Sequence, residues 1–311
     1  MDRREEELLS ERLSVQVGAL RLKSPLIGAS GTCGFGAELN EVGSLAYLGA
    51  LVTKTITPLA REGNPPPRTW ETAAGLLNSI GLANPGLQAF LREIAPTLER
   101  LPCPVVVSIG AEEASGYVSS AEALRSVSSI AALELNLSCP NVAGGLDLSR
   151  SPQALAEVTR AVRSKWDRPL WVKVTPSIPD LGPLVAAAAD SGADAAVVAN
   201  THPAMAINWR TGRSRLGRPT GGLSGPAVKP LTVRLVYEAA CAAALPVIAS
   251  GGVAEAQDVL ELMVAGASAV QLGSILLREP EAPRRFTSEL LHLLDSEGIE
   301  EIRSLVGTFS P

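Results

Sequence analysis

The sequence predicts a single α/β domain, a (β/α)8 barrel of the TIM type. Three observations carry that prediction. Short β-branched runs recur along the chain, each followed by an Ala-, Leu- and Glu-rich stretch at helical spacing. There are eight such runs, and most are apolar nearly throughout, as expected of parallel strands covered on both faces. The turn after the first run reads GASGTCGFG rather than GxGxxG, which disfavours a doubly wound dinucleotide-binding sheet.

The runs fall at 25–29, 50–54, 104–109, 132–136, 170–174, 194–200, 246–250 and 267–272. Long segments precede the next helix after the second, fourth and sixth, at 55–84, 137–151 and 201–225. Long loops in a compact domain usually serve function, and barrel sites are built where strands end. No linker or composition shift divides the chain. Residues 13–311 are therefore expected to form one barrel domain, preceded by a charged extension at residues 1–12.

Composition narrows the function. The 311 residues, 46% of them hydrophobic, suffice for one large core. Lys and Arg number 27 against 32 Asp and Glu, for a net charge of −5, and no basic run offers a footprint for a phosphate backbone. Nucleic acid is not an expected partner. No apolar stretch approaches the roughly 18 residues needed to span a bilayer, and the charged start lacks the apolar segment of a signal peptide. The expected location is the cytoplasm, without membrane attachment. The four cysteines, Cys33, Cys103, Cys139 and Cys241, form no CxxC pair, so neither a disulfide framework nor a metal site is expected. Only two histidines are present, which moves attention to Cys, Lys and Asn.

Lys54 ends the second run, Asn136 the fourth and Asn200 the sixth, while Lys173 lies in the fifth. Each alone reads equally well as a solvated strand end. Together they suggest an anionic ligand at one mouth, because a buried ammonium is costly without an anion. Gly251 and Gly252 follow the seventh run, and Gly273 and Ser274 the eighth. Loops after these strands are the fold's recurrent phosphate cradle, although a glycine pair alone is also ordinary turn chemistry.

Cys139 stands in ELNLSCPNV, in the long segment after the fourth run. Free cysteines are more often buried packing residues, and Cys33, Cys103 and Cys241 are read that way. Cys139 differs by position. An ordinary thiol pKa of about 8.5 suits a base that removes a weakly acidic carbon-bound proton.

From about residue 13 to the C-terminus these motifs resemble dihydroorotate dehydrogenases of the soluble, cysteine-dependent class, class 1. The carrying segments are GASGTCGFG at 28–36, NPPPRTWETAAGLLNSIGLANPGL at 64–87, ELNLSCPNV at 134–142, TGGLSGPAVKP at 220–230 and the two glycine loops. The resemblance implies FMN-dependent oxidation of (S)-dihydroorotate to orotate in de novo pyrimidine biosynthesis. Cys139 would take a proton from C5 while hydride passes from C6 to FMN. The substrate residues would be Lys54, Asn78, Ser79, Ile80, Gly81, Leu82, Asn136, Asn141, Asn200 and Thr201, with the lysine on the carboxylate and the asparagines on the pyrimidine edges. Flavin contacts would fall to Ala29, Ser30, Lys54, Thr55, Asn136, Lys173, Ala199, Gly225, Gly251, Gly252, Gly273 and Ser274. Lys173 would stabilise the negative charge of reduced flavin near N1.

The chain departs from the pattern at three places. Ser108 stands where relatives often carry asparagine, the loop after Asn141 looks short, and His202 replaces an aliphatic residue and reads as a partly exposed loop histidine. NPPPR and LLNSIGL look closest to the subtype that passes electrons to NAD through an iron–sulfur FAD partner. The implied assemblies are a homodimer or, with that partner, a heterotetramer; the other soluble subtype is a fumarate-using homodimer. Two other FMN barrels compete, a dihydropyrimidine dehydrogenase-like enzyme and a tRNA dihydrouridine synthase. The latter needs a basic RNA face and usually an added helical domain, and this chain is acidic.

Overall fold

The computed structural model describes residues 11–137 and 150–310. Eight strands form a closed barrel: β1 (Leu26–Gly28), β2 (Ala50–Val52), β3 (Val105–Ile109), β4 (Ile130–Asn136), β5 (Leu170–Lys173), β6 (Ala195–Val198), β7 (Val247–Ser250) and β8 (Ala267–Leu272). Each pairs in parallel with its sequence neighbours, and β8 closes on β1 with Leu272 opposite Gly28. Every predicted strand is present, shifted at its ends by no more than a residue or two.

The strands are apolar because both their faces are covered along most of their length. Ile27, Leu51, Val106, Leu133, Val172, Val197 and Ile248 are all fully buried. Each such side chain contributes about 1.5–3 kcal/mol relative to exposure. The outer ring comprises α1 (Ala37–Glu41), α2 (Leu87–Ala89), α3 (Ala114–Leu124), α4 (Pro152–Arg163), α5 (Gly182–Ala189), α6 (Lys229–Ala242), α7 (Ala256–Val264), α8 (Ile275–Arg278) and α9 (Ala282–Ser296). Local chemistry starts several of them. Ser151 Oγ accepts from Ala154 N at 3.2 Å, with Pro152 at the first helical position of α4. A reciprocal capping box between Glu255 and Asp258 opens α7.

The segments after β2 and β6 are not the irregular loops expected from the sequence. They pair into a four-stranded antiparallel sheet in the order His202–Ala204, Gly221–Ser224, Gly75–Asn78, Thr69–Thr72. A small hairpin, Ile207–Asn208 against Arg213–Ser214, extends from it. A second unpredicted hairpin, Val15–Val17 against Leu20–Leu22, packs at the opposite end of the barrel, where Gly18 lies against Asp194. At the start of the described chain, Arg12 donates to Asp295 Oδ1 at 2.6 Å, Ile299 O at 3.0 Å and Glu300 O at 3.1 Å. These bonds tie it to the end of α9 and the turn beyond. Among the described residues no helix is long and apolar enough to cross a membrane, and no cluster of His, Cys, Asp or Glu could hold a metal ion.

Candidate active site

The C-terminal ends of the barrel strands and the four-stranded sheet enclose a cavity of about 980 Å³. It is lined by every described residue predicted for the site: Ala29, Ser30, Lys54, Thr55, Asn78 to Leu82, Asn136, Lys173, Ala199, Asn200, Thr201, Gly225, Gly251, Gly252, Gly273 and Ser274. Cys139 and Asn141 lie outside the described residues. Residues not anticipated also line it, among them Arg61, Asn64, Arg218, Thr232 and Val253.

The floor is a hydroxyl and amide network. Thr55 Oγ1 lies 2.9 Å from Ser108 Oγ and 3.2 Å from Ser30 Oγ, and accepts from Asn136 Nδ2 at 3.3 Å. Asn200 Nδ2 donates to Asn136 Oδ1 at 3.4 Å, and Asn200 Oδ1 accepts from Thr201 N at 2.8 Å. These bonds run across β1, β2, β3, β4 and β6, so strand register sets the orientation of each amide. Ser108 is fully buried and does not reach the cavity; it braces Thr55 from behind.

One wall comes from the segment after β2. Asn78 Nδ2 donates to Gly222 O at 3.2 Å, and Asn64 Nδ2 donates to Ser79 Oγ at 3.0 Å. Leu82, with φ 55°, is the sole non-glycine residue at positive φ among those described. The side chain of Asn84 holds this strained turn, donating to Leu82 O and Thr57 Oγ1, each at 2.7 Å, and accepting from Gly86 N at 2.9 Å. Backbone strain braced in this way belongs to sites that need a fixed wall.

Lys54 is half-buried against the cavity, and burial lowers its pKa from the ordinary lysine value. Among the described residues its ammonium has no hydrogen-bond or ion-pair partner. Lys173 differs from expectation. Its ammonium, 5% exposed as a residue, donates to Gln271 Oε1 at 3.0 Å and lies 3.9 Å from Glu134 Oε1. A carboxylate already compensates it, so the case for an anionic ligand rests on Lys54. Glu134 and Gln271 were missed, although a lone polar residue within an apolar parallel strand was a legible signal.

The glycine loops divide in character. Gly251 and Gly252 have φ of 128° and 90°, and a Cβ on Gly252 would collide with Lys229. The protein itself requires glycine there. Gly273 is not at positive φ, and the nearest atom to a Cβ built on it is Ala29 Cβ at 4.0 Å. Neither conformation nor packing excludes a side chain at Gly273; the space belongs to the cavity. A ligand group can approach that backbone closely. Beside it, Asp258 Oδ2 accepts from Ala254 N at 2.8 Å and Glu255 N at 2.9 Å, while Lys229 Nζ donates to Asp258 Oδ1 at 2.7 Å, fixing the turn after β7.

His202 is half-buried in a strand and faces the cavity; burial, then Arg234, lowers its pKa. Cys33 and Cys103 are buried, with burial raising their pKa to about 12 and about 11, which leaves them inert near neutral pH. Cys241 is exposed rather than a packing residue, because it lies on the outer side of α6.

A dihydroorotate dehydrogenase family profile matches residues 12–294. The chain is 45% identical over 297 residues to a protein of Desulforudis audaxviator named dihydroorotate dehydrogenase B (NAD(+)), catalytic subunit, covering 95% of this chain and 97% of that one. The chain belongs to the dihydroorotate dehydrogenase family. Other family members are similar to it at comparable levels. One from Geobacillus kaustophilus, with the same NAD(+)-linked name, is 42% identical over 95% of each chain. One from Solibacter usitatus, provisionally named dihydroorotate dehydrogenase A (fumarate), is 42% identical over 96% of this chain and 99% of that one. The crystal structure of the dihydroorotate dehydrogenase of Eimeria tenella in complex with ferulenol superimposes with a TM-score of 0.79 at 26% identity, covering 96% of this chain and 88% of that chain. Family membership makes the chain a flavin-dependent oxidoreductase.

Proposed function

We propose that this chain oxidises (S)-dihydroorotate to orotate in pyrimidine biosynthesis, with FMN as its flavin and Cys139 as the base at C5. The observation that carries the reading is Lys54, a half-buried ammonium with no ion-pair partner among the described residues, set among Asn78, Asn136 and Asn200 in one cavity. Dihydroorotate offers the complement: a carboxylate for the lysine, and ring carbonyl and N–H edges for amides that both donate and accept.

Lys54 orients the substrate through its carboxylate, and the asparagines fix the ring so that C5 faces the segment after β4. Asn136 lines the cavity three residues before Cys139, a span of about 11 Å at most. The thiolate of Cys139 takes the C5 proton. Bound FMN would accept the hydride that leaves C6. Ala29, Ser30 and Thr55 would meet the flavin ring, Lys173 its N1 side, and Gly251, Gly252, Gly273 and Ser274 the phosphate.

Electrons then leave for NAD through an iron–sulfur FAD partner in a heterotetramer built on a homodimer. The segments NPPPR and LLNSIGL favour that subtype, and exposed Met205, Ile207 and Trp209 around the small hairpin offer apolar area for a partner. We place the enzyme in the cytoplasm, with residues 1–12 an extension outside the barrel domain.

The test is anaerobic mixing of purified protein with dihydroorotate. One equivalent should bleach the flavin and release orotate, and the denatured protein should yield FMN. Purification with and without the products of neighbouring genes, followed by assay with NAD and fumarate, identifies the acceptor. A flavin that stays oxidised in excess dihydroorotate overturns the reading.

A further inference from the structure

We propose that Glu134 is a positioning residue that sets the reduction potential of the bound flavin by acting through Lys173. The inference rests on the reading that a flavin lies against Lys173, and it concerns Glu134 and Gln271, which do not line the cavity.

Glu134 is fully buried in β4, Gln271 is fully buried in β8, and Lys173 ends β5. Gln271 bridges the two charges. Its Nε2 donates to Glu134 Oε2 at 2.7 Å, and its Oε1 accepts from Lys173 Nζ at 3.0 Å. One amide can satisfy both neighbours in only one orientation, oxygen toward the cation and N–H toward the anion. Among the described residues Glu134 Oε1 has no hydrogen bond, and it lies 3.9 Å from Lys173 Nζ, so its contact with the lysine is electrostatic.

Of the three groups only Lys173 lines the cavity. The carboxylate therefore sits one layer beneath the ammonium, on the side away from the ligand. A buried carboxylate is expensive, and a barrel interior could be filled by apolar residues at lower cost. Its effect on the site follows from its sign. An ammonium beside a flavin favours the reduced, negatively charged form, and a carboxylate behind that ammonium, directly and through Gln271, draws it back from the cavity and so weakens that effect. Glu134 thus holds the flavin potential below the value Lys173 alone would impose.

Glu134→Gln preserves shape and an acceptor for Gln271 Nε2 but removes the charge. Equilibrium titration of the flavin-loaded protein against a reference dye should show a higher potential. The expected size is at least a tenfold rise in the ratio of reduced to oxidised flavin at fixed potential, about 30 mV for a two-electron couple. Glu134→Met, which removes the charge by an apolar route, should shift it the same way. In a Lys173→Met background the Glu134→Gln shift should be markedly smaller, because only the direct field of the more distant carboxylate remains once the ammonium it holds back is gone. An unchanged or lowered potential, or an equal shift without Lys173, overturns the proposal. Loss of flavin from both Glu134 variants while the parent retains it assigns the residue to folding and overturns it as well. A parent protein that holds no flavin overturns the cofactor reading on which it rests, and the proposal with it.

Discussion

The hydroxyls of Thr55 and Ser108 meet at 2.9 Å in the barrel interior, joining the end of β2 to β3 directly beneath the cavity. Thr55 is 3% exposed and Ser108 fully buried, and the same Thr55 oxygen serves Ser30 and Asn136. Thr55→Val keeps the shape and strands the hydroxyl of Ser108. The variant should lose about 1–3 kcal/mol of stability in chemical denaturation, the cost of a buried polar group left without its partner. An unchanged midpoint and slope would show that the network does not brace the floor.

Orotate affinity should depend on the charge of Lys54. Burial lowers its pKa, so in the ligand-free protein the ammonium gives up its proton at a lower pH than an unfolded lysine would. The folded state then releases the proton first, and the burial penalty, present below the folded pKa, is relieved as pH rises toward the unfolded value. Orotate, an anion, restores the charged form. Its affinity should therefore fall as pH rises through the lowered Lys54 pKa, with proton uptake on binding in that window. Lys54→Ala should bind orotate at least tenfold more weakly and lose this pH dependence, measured by calorimetry on protein of confirmed flavin content.

Gly273 tests the phosphate cradle more cleanly than Gly251 does. A side chain at Gly251 is strained by its φ of 128° with or without a ligand. Gly273 carries no such constraint, and its Cβ would enter open space. Gly273→Val should leave the melting temperature of the flavin-free protein near the parent value and weaken flavin retention at least tenfold, read by fluorescence on dilution. Equal retention would remove the phosphate from this loop.

Removal of residues 1–10 should leave flavin content and flavin reduction by dihydroorotate unchanged, whereas removal through Arg12 should lower the melting temperature. Arg12 carries three hydrogen bonds to the end of α9 and the turn beyond. Partial exposure keeps the loss small, on the order of 1 kcal/mol. A barrel that needs its first ten residues to fold would move the domain boundary to the N-terminus.

Cys139→Ser should slow flavin reduction by dihydroorotate by orders of magnitude near pH 7, with partial recovery at high pH. A hydroxyl is far harder to deprotonate than a thiol. FMN and orotate binding should survive, since neither needs the thiol. Stopped-flow bleaching isolates this step from reoxidation. A serine variant with the parent rate and pH profile would pass the role of base to another residue of the segment.

The sequence by itself determined the barrel and much of the site. Parallel strands buried on both faces must be apolar, so β1 to β8 appear as eight separated runs, and Lys54, Asn136, Lys173 and Asn200 stand out because they interrupt or end them. Tertiary structure alone decided how those residues are compensated. Glu134, Gln271 and Lys173 lie on β4, β8 and β5, and only closure of the barrel brings Gln271 within hydrogen-bond reach of the other two, so no local pattern separates paired Lys173 from Lys54, which has no partner among the described residues. The sheet over the mouth was hidden for a related reason. Strands such as Gly75–Asn78 and Gly221–Ser224 are short and glycine-rich, without the alternation that marks a strand, and they form because partners from two distant segments meet above the cavity.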